Sequence, residues 1–97
     1  MFLKVHCSPG TGDIVAVCDR ELLNTTISDG ELSVQITEGF YGNTPASEEK
    51  VRTALKKAGN INLMGKRSVS IAVEMGLVTP SGCKMIGDIP HAQVYSL

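Results

Sequence analysis

The sequence is poor in aromatic residues and has no long apolar run. Only 4% of its 97 residues are aromatic, and none is tryptophan. The longest uninterrupted apolar run covers residues 14–18, five residues in all, far below the roughly 18–20 that a membrane-spanning helix requires. A histidine and a proline interrupt the N-terminal segment where a signal peptide would need its apolar stretch. We therefore expect a cytoplasmic protein with no membrane partner.

Cysteine and histidine are too few and too scattered to indicate a metal site. Cys7, Cys18 and Cys83 lack the close pairs of zinc and redox motifs. Cys7 and Cys18 each end an apolar stretch, so we expect both to be small buried hydrophobic residues with reduced thiols. The sequence contains no phosphate-loop signature and no nucleophile motif. It therefore predicts no metal, no cofactor and no catalytic residue.

Alternating apolar and polar residues predict most of the strands. Residues 2–7 and 14–18 predict a β-hairpin across a turn rich in proline and glycine, and residues 32–37 predict a third strand. Asp19 is suited to cap one or two helical turns that follow it. Short strands are expected at 83–86 and 91–95, the last of them at a sheet edge.

Two helices are predicted in the second half of the chain. The first should run from about residue 45 to Ala58, because its apolar residues recur every three or four positions. The second should begin near residues 60–62 and run to Met75, with Gly65 as the alternative start. We predict a single α+β domain over residues 1–97: a mostly antiparallel sheet of four or five strands with two consecutive helices packed on one face.

The net charge of -1 conceals an uneven distribution of charge along the chain. Residues 1–49 hold two basic and eight acidic residues, whereas residues 50–97 hold seven basic and two acidic residues. Six of the basic residues occur in one segment that has no acidic residue: Lys50, Arg52, Lys56, Lys57, Lys66 and Arg67. Such a segment indicates either a solvated helix surface or a surface for an anionic partner.

Three segments of the chain together resemble one protein family. They are Gly39-Phe40-Tyr41-Gly42, residues 62–78, and residues 86–94; the most specific elements are Asn-x-x-Gly-x-Arg at 62–67 and Pro-His-Ala-Gln at 90–93. Over nearly its whole length the chain resembles the mainly archaeal "domain of unknown function 424" family. The resemblance implies a compact cytosolic domain of about this length and a loose link to archaeal information processing. It implies no mechanism.

The leading functional prediction is a non-enzymatic module that binds RNA or a ribonucleoprotein through the six basic residues. Asn62, His91 and Gln93 are expected beside them. One alternative is a small enzyme, in which Asn62, Arg67 and His91 meet in a pocket between the start of the second helix and the Pro90-His91 turn. Another is a protein-interaction or dimerisation module that uses the last strand as an exposed sheet edge, which would make the protein a homo-oligomer.

Overall fold

A computed structural model describes residues 1–7 and 13–95. The helices and strands of this part of the chain are, in order, β1 (Phe2–His6), β2 (Ile14–Cys18), β3 (Thr25–Asp29), β4 (Leu32–Ile36), α1 (Glu38–Tyr41), α2 (Glu48–Lys57), β5 (Asn60–Met64), α3 (Lys66–Glu74), β6 (Lys84–Ile86) and β7 (Ile89–Tyr95). Single 3₁₀ turns lie at Arg20–Leu22 and Pro80–Gly82. Most of the predicted turn between β1 and β2 lies outside the described residues.

The main sheet has five strands in the order β1-β2-β5-β7-β6, and β3 and β4 form a separate hairpin. β2 and β5 run parallel, whereas the other neighbours in the main sheet are antiparallel. A parallel pair needs a long crossover connection, and here the chain between β2 and β5 supplies the hairpin, α1 and α2. The α+β prediction is confirmed, with a sheet that is mixed rather than purely antiparallel.

The predicted helical start at residues 60–62 is wrong, because residues 60–64 form β5. Ile61 and Leu63 are buried while Asn60 and Asn62 are half-buried, which is the period of two of a strand. The alternative start is confirmed, since α3 begins at Lys66 directly after Gly65. The two longer helices are therefore separated by a central strand and are not consecutive.

The last strand lies inside the sheet at its start and forms an edge at its end, so the prediction of an edge strand is confirmed only for residues 92–95. β7 pairs with β5 on one side and with β6 on the other. The edges of the main sheet are β1 and β6. Because β6 pairs only with residues 89–91, residues 92–95 have no described partner strand on that side, and dimerisation through the last strand stays a prediction.

Each face of the main sheet has its own apolar core. On one face α2 and α3 enclose the helix-side core, which contains Val15, Val17, Val51, Leu55, Ile61, Leu63, Val69, Ile71, Ala72 and Ala92. On the other face the β3–β4 hairpin and α1 enclose the hairpin-side core, which contains Ala16, Cys18, Leu22, Ile36, Tyr41, Met64 and Ile86. Cys18 is buried as predicted, whereas Cys7 is exposed, so its predicted burial is wrong.

Candidate functional site

The end of β5 meets the end of β2 and the start of β7 at Gly65. The Gly65 N–H donates to the Pro90 carbonyl at 2.9 Å, and the Asp19 N–H donates to the Met64 carbonyl at 2.9 Å. Gly65 has a φ of 111°, and a Cβ at this position would overlap the Asp19 carboxylate. Both the backbone conformation and the lack of space require glycine here.

The Asp19 carboxylate caps α3 from a distant part of the chain. Its Oδ2 accepts from the Arg67 N–H at 3.0 Å, and its Oδ1 accepts from the Ser68 N–H and the Ser68 Oγ, both at 2.8 Å. These N–H groups belong to the first turn, where a helix has no partners of its own, and the negative charge lies at the positive end of the helix dipole. The predicted turn forms at Arg20–Leu22 with Asp19 at its N-cap position, but the Asp19 side chain makes no hydrogen bond to that turn.

The six predicted basic residues lie on or beside the two helices, but they do not form one patch. Lys66 and Arg67 line a groove that also contains Glu48 and Glu74. The Arg52 guanidinium bonds to Glu48 Oε1 at 2.7 Å and also to Glu74. Hydrogen bonds to these two carboxylates raise the pKa of Arg52. The charge of Arg52 is therefore compensated by two carboxylates.

The remaining lysines of α2 point to different sides of the helix. Lys50 and Lys57 line a groove against β1, whereas Lys56 lines a groove near the end of β7. Residues 48–74 still hold six basic residues and three acidic ones, while the rest of the chain holds three basic and seven acidic residues. The helix layer is thus the electropositive side of the protein, although its charges are dispersed.

Asn62, His91 and Gln93 lie across the sheet from these cations. The register pairs Asn62 with Gln93 and Met64 with His91. Met64 belongs to the hairpin-side core, and strand alternation places Asn62 on the same face as Met64. The expectation that these three polar residues lie beside the basic residues is therefore wrong.

Asn62 and Gln93 each accept a hydrogen bond from a tyrosine. The Tyr41 hydroxyl donates to Asn62 Oδ1 at 2.9 Å, and the Tyr95 hydroxyl donates to Gln93 Oε1 at 3.3 Å. Tyr41 is buried, and burial raises its pKa. Each amide oxygen accepts one of these bonds, and the two NH₂ groups are donors that bond to no other described residue.

The Phe40-Tyr41 pair closes one end of the hairpin-side core. The rings of Phe40 and Tyr41 meet edge to face at 4.9 Å, and His6 stacks on Phe40 at 5.0 Å. His6 Nε2 also lies 2.6 Å from the Phe40 carbonyl oxygen. The family segment at residues 39–42 thus positions Tyr41 to hold Asn62 of the second family segment.

The proposed enzyme site does not form. A groove does join α3 to Pro90, but its lining contains none of Asn62, Arg67 and His91. Arg67 belongs to the helix that packs on one face of the sheet, while Asn62 and His91 occupy the other face. Burial and the nearby Lys84 charge lower the pKa of His91.

Within residues 1–7 and 13–95, no three histidine, cysteine or acidic side chains cluster as metal ligands. No helix in this part of the chain is long and apolar enough to cross a membrane.

Comparison with known proteins places this geometry in a family. The comparison with curated proteins finds no match. Among solved structures, the chain is similar to an uncharacterised conserved protein from Methanopyrus kandleri, with a TM-score of 0.81 and 27% sequence identity over 99% of this chain and 90% of that one. The family model described as "Protein of unknown function (DUF424)" matches residues 6–97, so the chain belongs to that family.

Proposed function

We propose that this protein is a non-enzymatic module that binds single-stranded RNA around one end of the sheet. Lysine at the end of α2 would contact phosphate, and the open part of the hairpin-side face would contact unpaired bases. The observation that carries the proposal is that Lys56 and Tyr95 line the same groove. This groove connects the electropositive helix layer to the strand that carries Gln93.

The chemistry of the open face suits unpaired bases. Tyr95 is 68% exposed, and stacking of a base on an exposed aromatic ring contributes about 1–3 kcal/mol. The free NH₂ groups of Asn62 and Gln93 are suited to donate to base carbonyl oxygens, which single-stranded RNA leaves accessible. Tyr41 supports this arrangement from below by fixing the Asn62 amide.

The charge distribution supports an oriented approach of RNA. Residues 48–74, which include both longer helices, have an excess of basic residues and the rest of the chain has an excess of acidic ones, so an approaching polyanion is drawn towards the helices. The start of α3 is a poor phosphate site, because Asp19 already accepts from the Arg67 and Ser68 N–H groups. Lys56 makes no ion pair with any described residue.

Filter binding of a single-stranded RNA of about 12 nucleotides and of its duplex tests the proposal. We expect the single strand to bind more tightly, and the affinity to fall steeply between about 50 and about 200 mM KCl. Tyr95→Ala should weaken binding roughly 5- to 100-fold, and Lys56→Glu should also reduce the salt dependence. Arg20→Glu and Met85→Ala are matched controls, because both residues are exposed and lie away from this groove.

Two results would overturn the proposal. One is a failure of the single strand to bind at low salt. The other is binding that is unchanged by both Tyr95→Ala and Lys56→Glu while the variants remain folded.

A further inference from the structure

The outer edge of β1 is covered only along its first half. The Leu3 N–H donates to the Thr44 carbonyl at 3.3 Å, and the Ala46 N–H donates to the Met1 carbonyl at 2.8 Å. Phe2 forms an isolated bridge with Pro45. Beyond Leu3, no described residue pairs with this edge of the sheet.

Val5 presents free backbone groups at this edge. In an antiparallel pair the N–H and C=O groups of alternate residues point to the same side, so Val5 presents its groups outwards as Leu3 does. Outside the pairing of β1 with β2, no described backbone group accepts from the Val5 N–H. Val5 as a whole residue is also 44% exposed. An unpaired edge beside an exposed apolar side chain is a template for an added strand.

A groove between β1 and α2 runs along this free edge. It has a volume of about 480 Å³ and is lined by Leu3, Val5, Ser47, Glu49, Lys50, Thr53, Ala54 and Lys57. Lys50 and Lys57 are two helical turns apart, or about 10 Å, which an extended chain spans in three residues. Two lysines against one glutamate make the groove electropositive.

We propose that this groove binds an extended acidic segment of another protein, which adds to the sheet as a strand beside β1. Its main chain would pair with Val5, and its carboxylates would face Lys50 and Lys57. A second copy of this chain fits less well. Two β1 edges paired about a two-fold axis would bring both α2 helices together, with the lysines of each facing the like charges of the other.

This interaction goes beyond RNA binding and uses a different part of the protein. Lys56 and Tyr95 line the RNA groove, and neither lines the groove beside β1. The two proposals can therefore fail independently. Backbone pairing at Val5 also requires a polypeptide partner, because RNA has no alternating N–H and C=O groups to continue a sheet.

Amide NMR of the full-length ¹⁵N-labelled protein tests the proposal. The probe is a blocked synthetic peptide of about eight residues that alternates glutamate and valine, and the matched probe carries lysine for glutamate. With the acidic peptide we expect shifts at Val5 and Thr53 and slower hydrogen exchange of the Val5 amide. Equal binding of both peptides, or shifts confined to the opposite edge at β6, would overturn the proposal.

Val5→Pro is the most specific variant, because it removes an outward N–H and leaves the pairing with β2 intact. It should weaken peptide binding at least about tenfold while single-stranded RNA binds as to the wild type. If this variant does not fold, Lys50→Glu with Lys57→Glu tests the same groove and should reverse the preference between the two peptides. Lys66→Glu is the charge control. A wild-type dimer that Val5→Pro dissociates would instead identify a second copy as the occupant and overturn the proposal.

Discussion

The backbone of Gly65 lies directly against the carboxylate of Asp19. No side chain fits between them, since a Cβ at residue 65 would overlap the carboxylate. The contact fixes the start of α3 relative to the end of β2. The adjacent hydrogen bond from the Gly65 N–H to the Pro90 carbonyl fixes the start of β7 at the same point. This hydrogen bond therefore joins two of the segments that carry the family resemblance, residues 62–78 and residues 86–94.

Gly65→Ala should destabilise the protein strongly. The substitution adds a Cβ where φ is 111° and where the Asp19 carboxylate leaves no space. We expect a loss of roughly 3–5 kcal/mol in the free energy of unfolding, measured by urea denaturation. Gly59→Ala is the control, because no atom lies within 4 Å of the added Cβ. Equal stabilities of the two variants would contradict the packing at Gly65.

Asp19→Ala should also lower the free energy of unfolding, by about 2–4 kcal/mol, because it removes a buried cap and three hydrogen bonds. Asp19→Asn keeps one acceptor oxygen and should cost less. Glu21→Ala, an exposed acidic residue close by in the sequence, should change stability by no more than about 0.5 kcal/mol. The same denaturation series measures all three variants, and a loss for Glu21→Ala as large as for Asp19→Ala would contradict the role of the cap.

The thiols should react in the order of their accessibility. Burial, with the Asp19 charge beside it, raises the pKa of Cys18 to about 11, so its thiol stays protonated and protected in the fold. Cys7 is exposed, and Cys83 is half-buried with its thiol 3.4 Å from the Thr79 carbonyl. With Ellman's reagent near pH 8, Cys7 should react first and Cys18 only on unfolding. A fast phase that persists in Cys7→Ser and disappears in Cys18→Ser would contradict this order.

His91 should make the protein less stable in mild acid. Burial and the charge of Lys84 lower its pKa from 6.5, so below about pH 6.5 the unfolded chain binds a proton that the folded chain does not. The contribution of neutral His91 to stability is fully present above that pH, and it is lost as the pH falls through the pKa that His91 has in the folded protein. His91→Asn should therefore flatten the fall in melting temperature between about pH 7 and pH 5.

Lys84→Met provides a second test of the same electrostatics. Removing the positive charge beside His91 should raise the His91 pKa, as followed by NMR titration of the imidazole. Lys66→Met removes a lysine that is not among the causes of the His91 shift and serves as the control. An unchanged His91 titration in Lys84→Met would contradict the assigned cause.

The sequence predicted those helices and strands that show a pattern of apolar residues within a few positions. β1, the strand at residues 32–37 and α2 each show one clear period, and β2 is a short apolar run rich in β-branched residues. The segment at residues 60–64 is too short for a period to separate strand from helix, and it precedes a true helix. The mostly polar β3 lacked an apolar pattern and was not predicted.

The candidate site depended on long-range pairing, which the sequence pattern does not reveal. Asp19 and Ser68 are 49 residues apart, and nothing local to either indicates that they bond. The six basic residues are close in sequence, yet β5 separates α2 from α3 and the turns of each helix direct their side chains to different grooves. The six basic residues therefore do not form one continuous surface, although they are close in the sequence.

The most direct test of the proposed RNA interface is an amide spectrum of the full-length protein during titration with a single-stranded RNA of about 12 nucleotides. The side-chain amides of Asn62 and Gln93 and the backbone amides of Lys56 and Tyr95 should shift together and saturably. An absence of shifts, or shifts confined to the start of α3 at residues 66–67, would contradict the proposed interface.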